Sequence, residues 1–520
     1  MERKIICLLL AQAMFALSTA YLLPIIYLLS EIENQKILIA FATFLIISLF
    51  MAIILKYKSQ GHKQRIKVKE SATSMILIWL LLAMFGSFPF IASFQLKPIE
   101  ALLETVSDFT SAGIGILPAS SPYVLKLWQS ELMWIGSLIY LNILVTVMPE
   151  VSGCFGLELS LSQGQIFSPM LGQMKFMARK VTIIYILLTF VSYVLFRLAG
   201  LNMWDSIQMS MKCISTGGGN YFAGRGSIYV EYAAMTSMLL ACGNLLLYHR
   251  LLLTIKPPTS SLNLMTPIKI KNFAKSIHNL IDDFISLVKE NTISNLKIFS
   301  SNSEVQFLFI SMTIGTILIA FTTFNEYYLT DGNVSFRRAM FHVISFISTT
   351  GVSTVNLKDI PDYDKFFLFL MAAVGGCIGS VTGGLKIIRV IILFKLAKME
   401  TLKVIHPRMI TNIKVNKTAV SLKISGRILS FFFLSLLTLF MFAIILSLSG
   451  QTFSTSVAMS FACLTTIGNL PGICDPSTFM ELPAIMKIFC CLIFIVGRME
   501  IFAFLIFVNT IFNRNKRQKF

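Results

Sequence analysis

Phe109-Thr-Ser-Ala-Gly113 ends an amphiphilic stretch of this chain, and its like returns three times: Ser215-Thr-Gly-Gly-Gly219, Ser348-Thr-Thr-Gly-Val352 and Leu464-Thr-Thr-Ile-Gly468. Each copy sets Ser or Thr beside glycine, just before a hydrophobic run, and the four glycines Gly113, Gly217, Gly351 and Gly468 fall at comparable intervals. Glycine reaches positive φ without steric cost, so it lets a main chain take the tight angles that turn carbonyls inward. Four such turns predict four pieces of one ring. Rings of backbone carbonyls are how proteins replace the water shell of a permeating cation.

Working outward, a helix of about 12 residues is predicted before each turn, over 99–110, 203–214, 336–347 and 453–464, too short to cross a bilayer at about 1.5 Å per residue. Non-helical backbone at membrane depth is tolerated only where it is buried in protein or lines a wet cavity. Longer apolar runs flank these units. Candidate spans are 5–29, 37–55, 74–94, 132–148, 181–199, 233–255, 305–324, 366–396 (broken by glycines), 428–448 and 483–511. With 520 residues, 55% of them hydrophobic, and a mean hydropathy of +0.76, an ordinary soluble globule is excluded.

The formal net charge of +19 would suggest nucleic acid in a soluble protein. Here the basic residues gather in 56–69, 256–297, 395–427 and the tail 514–519, all on one side if the N-terminus is cytoplasmic. The positive-inside rule explains that distribution, so no nucleic-acid partner is expected. The nine cysteines have no metal-ligand spacing and lie mostly in apolar runs. Cys463 and Cys474 flank the fourth turn and are read as unpaired rather than as a disulfide.

The expected fold is an all-α polytopic membrane protein: four helix–pore-loop–helix repeats around a central pore, plus an N-terminal two-helix hairpin. The boundaries are 1–72 for the hairpin and a basic loop, 73–180 and 181–255 for repeats one and two, and 256–303 for a cytoplasmic insertion. Repeat three takes 304–424, and repeat four with a basic tail takes 425–520. An amphipathic helix is expected at 273–288 within the insertion.

From about residue 74 to the C-terminus the chain resembles the TrkH/TrkG/KtrB superfamily of microbial potassium-uptake proteins, and the added hairpin makes it similar to the TrkH branch. Phe109-Thr-Ser-Ala-Gly-Ile-Gly-Ile-Leu117 is similar to that family's first filter string, and Ser215-Thr-Gly-Gly218 and Thr349-Thr-Gly-Val352 to the second and third. Val374-Gly-Gly-Cys-Ile-Gly-Ser-Val-Thr-Gly-Gly-Leu-Lys386 resembles the glycine-rich gate loop of the third repeat. Val496-Gly-Arg-Met-Glu-Ile501 resembles the motif whose arginine projects into the pore. Departures are the fourth string Thr465-Thr-Ile-Gly-Asn-Leu-Pro-Gly472, Gln129 in place of an arginine, Trp134-Ile-Gly-Ser137 with serine last, and Asp108.

The resemblance implies a selectivity filter for K+ at Ser111, Ala112, Gly113, Ser215, Thr216, Gly217, Thr349, Thr350, Gly351, Thr466, Ile467 and Gly468. It implies a gate at Gly375, Gly376, Gly379, Ser380, Thr382, Gly383, Gly384 and Lys386, with Arg498. It also implies a homodimer in the bacterial cytoplasmic membrane, regulated by a TrkA-like cytoplasmic nucleotide-binding subunit. K+ is the transported ion and no organic cofactor is expected.

Several residues keep a plainer reading. Gly375, Gly379 and Gly383 are spaced as a G-x-x-x-G packing face, although the doublets at Gly376 and Gly384 favour a loop. Arg498 reads either as a gate residue or as the partner of Glu500, and an arginine at that depth costs ~2.5–3.5 kcal/mol unless it faces water or a partner. Asp108 reads as an acid hydrogen-bonded behind the filter or as a local attractor of cations, and His342 as a packed polar residue. Lys386 and Arg389 orient the loop or snorkel. Potassium uptake through a gated pore leads; a Na+- or H+-coupled symporter is the alternative, and no enzyme constellation is present.

Overall fold

The computed structural model describes residues 3–512 apart from 32–34, 61–67, 147–170, 219–226, 246, 249–300, 328–331, 355–359, 409–411, 417, 469 and 471–472. The amphipathic helix expected at 273–288 and the basic tail at 514–519 lie outside the described residues. The protein is an all-α polytopic membrane protein, with a single two-stranded hairpin among the described residues, β1 (Lys414–Val415) with β2 (Thr418–Ala419).

The N-terminal unit is α1 (Arg3–Ala20), α2 (Leu22–Glu31) and α3 (Gln35–Lys58), and α1 packs on α3 and on α4 (Val68–Gly86). Buried where this unit meets the following helices, Tyr21 and Trp128 find their hydrogen-bond partners in protein. The Tyr21 hydroxyl donates to the Phe85 carbonyl at 2.8 Å, its ring stacks on Trp128 at 4.6 Å, and Trp128 Nε1 donates to the Gly86 carbonyl at 3.1 Å. The hairpin is thereby keyed to the helices that follow.

After the short α5 (Phe88–Ala92) come α6 (Pro98–Phe109), α7 (Tyr123–Thr146), α8 (Leu171–Leu198), α9 (Met203–Ser215) and α10 (Ile228–Cys242). Next are α11 (Ser303–Tyr327), α12 (Gly332–Ile347), α13 (Asp362–Val374) and α14 (Ile387–Ile405). The chain ends in α15 (Leu422–Ser447), α16 (Phe453–Leu464), the short α17 (Pro476–Met480), α18 (Ala484–Met499) and α19 (Ile501–Phe512). The expected half-helices are α6, α9, α12 and α16; α12 starts four residues early, at Gly332.

Each half-helix also packs against a helix that does not flank it directly in the chain. Half-helix α6 lies on α18, α9 on α7, and α12 on α10. The fourth seam, α16 on α13, is marked by the Phe369 and Phe461 rings at 5.6 Å. That sequence of contacts closes on itself. Three seams carry a polar link near the start of the half-helix: Lys487–Glu100 at 3.0 Å, Tyr123 hydroxyl to Asp205 at 3.0 Å, and Arg337–Glu231 at 2.9 Å. Glu100 and Asp205 stand in first turns, where the helix dipole favours a carboxylate.

Six described helices are long and apolar enough to span a membrane: Lys4–Glu31, Gln35–Lys58, Ala72–Ala92, Ala178–Leu198, Ser303–Thr322 and Ile424–Ser447. The stretch 366–396 divides into α13 and α14, as its glycines suggested. The stretch 483–511 was expected to run through as one span and does not: α18 and α19 meet at 113°. The hinge is Glu500, with φ 65° and ψ 142°, a conformation no helix can continue.

Candidate functional site

The four half-helices end alike. A non-glycine residue takes a left-handed φ at each end: Ser111 at 61°, Thr216 at 55°, Thr349 at 56° and Thr466 at 55°. The next N–H, of Ala112, Gly217, Thr350 or Ile467, donates five residues back, to the carbonyls of Ser107 (2.8 Å), Lys212 (2.9 Å), Ser345 (2.9 Å) and Ala462 (3.1 Å). This is the Schellman ending, usually built on glycine. Serine or threonine there costs roughly 1–2 kcal/mol of backbone strain, sustained only where surrounding structure over-determines it.

The residue after is glycine in all four: Gly113, Gly218, Gly351 and Gly468. The hydrogen-bond register therefore sets the second segment as Thr216-Gly217-Gly218, one residue on from the spacing that aligned Gly217 with Gly113. Three consecutive glycines left the choice to the helix end.

The segments converge. A β-carbon at Gly218 would lie 2.7 Å from the Ala112 carbonyl oxygen, 3.0 Å from that of Thr350 and 3.1 Å from that of Ile467. One placed at Gly113 would lie 3.0 Å from both N and O of Gly218, and one at Gly468 would run into the Ala112 carbonyl. Main-chain oxygens from the first, third and fourth segments thus surround the second, at the carbonyl ends of their half-helices, where each dipole carries about half a negative charge.

Between α13 and α14 the chain from Gly375 to Lys386 is not helical, which overturns the reading of Gly375, Gly379 and Gly383 as a helix-packing face. Gly375, Gly379, Gly384 and Lys386 all have φ between 70° and 77°. The loop is held by its own side chains: Gly376 N–H donates to Thr382 Oγ1 at 3.1 Å, and Ser380 and Thr382 hydroxyls meet at 2.7 Å. Lys386 Nζ donates to the Thr382 carbonyl, to Thr382 Oγ1 at 3.1 Å and to the Ser380 carbonyl at 3.4 Å. Lys386 is therefore an internal staple and does not snorkel.

The same loop touches the converging segments. Gly383 N–H donates to Thr349 Oγ1 at 2.8 Å, and a β-carbon at Gly383 would lie 2.5 Å from Thr466 Oγ1. Cys377 N–H donates to the Cys242 carbonyl at 3.0 Å at the end of α10.

Arg498 is buried near the end of α18, its guanidinium 4.1 Å from the centre of the Tyr140 ring. One amino group donates to the Val381 carbonyl of the loop at 2.8 Å; the other reaches the Ser111 and Ser137 hydroxyls, each at 3.3 Å. Glu500 is not its partner. The Glu500 carboxylate takes Arg389 at 2.6 Å, and Arg389 also lies 4.5 Å from the Phe431 ring centre.

A family model described as TrkH, cation transport protein, matches residues 37–518. The chain belongs to the TrkH family of cation transport proteins. It is 27% identical over 478 residues to the Trk system potassium uptake protein TrkG of Escherichia coli K12, covering 88% of each. The Trk system potassium uptake protein TrkH of Halomonas elongata is 25% identical over 473 residues, covering 88% of this chain and 89% of the relative. Among solved structures, the crystal structure of the potassium transporter TrkH from Vibrio parahaemolyticus matches with a TM-score of 0.80 at 22% identity, over 98% of this chain and 100% of that one. That likeness carries the fold. The family is one of integral membrane transporters, not enzymes.

In this TrkH-family chain the partners of several site residues had no local signal. Glu104 and Asp108 lie one turn apart on α6, both buried, and the buried Lys212 of α9 is near enough to interact with both electrostatically. Glu104 accepts from Ile116 N–H at 3.0 Å and from Gln129, which stands where relatives were expected to carry arginine. Neither Asp108 oxygen has a hydrogen bond among the described residues, so of its two readings the hydrogen-bonded acid does not hold, and it stands with Glu104 in a buried group of ionisable side chains. An i,i+4 acid pair on a half-helix was the one sequence cue to it. His342 is a packed polar residue as expected: its Nε2 accepts from Thr354 N–H at 3.3 Å and lies 3.1 Å from Ser353 Oγ. Cys463 and Cys474 are free thiols, as expected.

Proposed function

We propose that this protein carries potassium ions inward across the cytoplasmic membrane through a gated pore, with K+ as its cargo. In this reading the ring is formed by Ser111–Gly113, Thr216–Gly218, Thr349–Gly351 and Thr466–Gly468, whose main-chain oxygens take the place of hydration water. The observation that carries it is at Gly218: one small volume there meets carbonyl oxygens from the three other segments. Segments far apart in the chain have no packing reason to bring main-chain oxygens together, because an unsatisfied carbonyl in an apolar interior costs about 1–3 kcal/mol.

The loop from Gly375 to Lys386 is the gate. It closes against Thr349 and Thr466, and Arg498 links its Val381 to Ser111 of the ring while adding positive charge beside it. Potassium is supported by the names of the curated relatives, which are Trk system potassium uptake proteins. The word system also supports a multi-component assembly; a homodimer with a nucleotide-binding cytoplasmic subunit belongs to this proposal. A coupled symporter is not favoured, since it draws its site from interrupted helices in symmetry-related halves, and the breaks at 375–386 and at Glu500, among the described residues, fall in neighbouring repeats.

The test is rubidium uptake into proteoliposomes holding the purified protein, driven by an inside-negative potential. A monovalent cation gains about 2.3 kcal/mol per 100 mV, sufficient for uptake without a second ion. Uptake is expected with no sodium or proton gradient, competed by potassium and little affected by sodium. Uptake that appears only with a sodium or proton gradient, or equal competition by sodium, overturns the reading.

A further inference from the structure

The hydroxyl of Ser137 on α7 joins groups that the chain keeps far apart. Its oxygen lies 2.5 Å from Ser111 Oγ, it donates to the Ser215 carbonyl at 3.1 Å, and it accepts from Arg498 Nη2 at 3.3 Å. The same Arg498 nitrogen reaches Ser111 Oγ at 3.3 Å. A hydroxyl has one hydrogen and two lone pairs. With its hydrogen on Ser215, Ser137 accepts from Ser111 and from the guanidinium, so each of the three hydroxyl and carbonyl groups in the node is used.

All four residues are buried. The position of the hydroxyl is set by its neighbour: a β-carbon at Gly136 would run into the Phe109 carbonyl, so α7 presses directly against the end of α6. Arg498 Nη1 meanwhile holds Val381 of the loop. One planar guanidinium is thereby tied to the loop at one edge and to the first segment at the other, with Ser137 linking it also to the end of α9, from which the second segment leaves.

We infer that Ser137 is a positioning residue that couples the ring to the loop, so that the two change state together. The inference rests on the reading of these elements as filter and gate. When the loop withdraws, Arg498 keeps Val381 only by leaving the two hydroxyls, each a charge-assisted hydrogen bond in a low-dielectric site. Removing the Ser137 hydroxyl takes away one of those anchors, and takes from Ser111 its acceptor and from Ser215 this donor.

The experiment compares wild type, Ser137→Ala, Arg498→Ala and the double variant in proteoliposomes, reading basal rubidium flux and the potassium-to-sodium permeability ratio. Ser137→Ala is expected to raise basal flux on the order of tenfold and to lower the ratio. In the Arg498→Ala background it adds less than about twofold, the mark of residues acting as one unit. Ser137→Thr, which keeps the hydroxyl, restores wild-type behaviour. Wild-type flux in Ser137→Ala beside a leaking Arg498→Ala overturns the inference alone, as do multiplicative effects in the double variant. An Arg498→Ala that does not leak overturns the gate and this inference with it. Should Ser137→Ala fail to give a monodisperse protein, Ser111→Ala removes the same contact from the other side; a leak there supports the coupling, and wild-type flux refutes it.

Discussion

Gly218→Ala isolates the convergence of the four segments from every other property of glycine. The φ at Gly218 lies outside the left-handed region, so alanine adds no backbone strain there. What it adds is one methyl, 2.7 Å from the Ala112 oxygen and 3.0 and 3.1 Å from those of Thr350 and Ile467. The first distance is closer than a β-carbon tolerates, and the obstacles are main-chain atoms, which cannot swing aside as a side chain would. Overpacking of this kind costs about 1–3 kcal/mol. Placed on the conducting barrier, that is roughly a 5- to 150-fold loss of flux. Rubidium uptake by proteoliposomes measures it, with size-exclusion chromatography to verify that the variant is folded. Gly426→Ala is the control, since nothing lies within 4 Å of a β-carbon there and alanine suits the interior of α15. Wild-type flux and ion preference in a folded Gly218→Ala would refute the claim that these carbonyls line the path.

Three further outcomes are expected. Gly351→Ser forces a side chain onto a φ of 70° in the third segment; potassium discrimination against sodium falls in bi-ionic flux measurements, by about the tenfold that 1.4 kcal/mol represents. Lys386→Met removes the ammonium that staples Thr382 and Ser380, so basal flux rises several-fold, on the order of what a charged hydrogen bond contributes, while ion preference is retained; a tight variant would show that the loop holds without its staple. Glu500→Gln leaves Arg389 without its counter-charge at 2.6 Å, and the detergent-solubilised protein loses about 1–3 kcal/mol of stability, read as a lower thermal midpoint; an unchanged midpoint would mean that the Phe431 face alone holds the arginine.

Periodicity and glycine content carried the helices, the half-helices and the hydroxyl-rich turns, because each rests on local forces: side-chain burial along a helix, and steric freedom at a turn. The doublets Gly375-Gly376 and Gly383-Gly384 marked the broken helix for the same reason, since helix propensity is a sum over neighbours. The second turn was placed one residue early because Gly217, Gly218 and Gly219 are locally equivalent, and only the hydrogen bond from Gly217 to Lys212 chooses among them.

Partnership was beyond the sequence. Arg498 and Glu500 are neighbours in the chain, and their pairing was a fair expectation, yet the turn of the chain at Glu500 sends the carboxylate to Arg389 and the guanidinium to Val381 and two serines. Ser137, read only as a departure within a Trp-Ile-Gly-Ser string, proved to stand between the first segment, the end of α9 and an arginine 361 residues away. What kind of backbone each stretch takes is a short-range matter that composition can express. Which oxygens face one another across the centre depends on packing helices from all four units at once, and no window of sequence contains that.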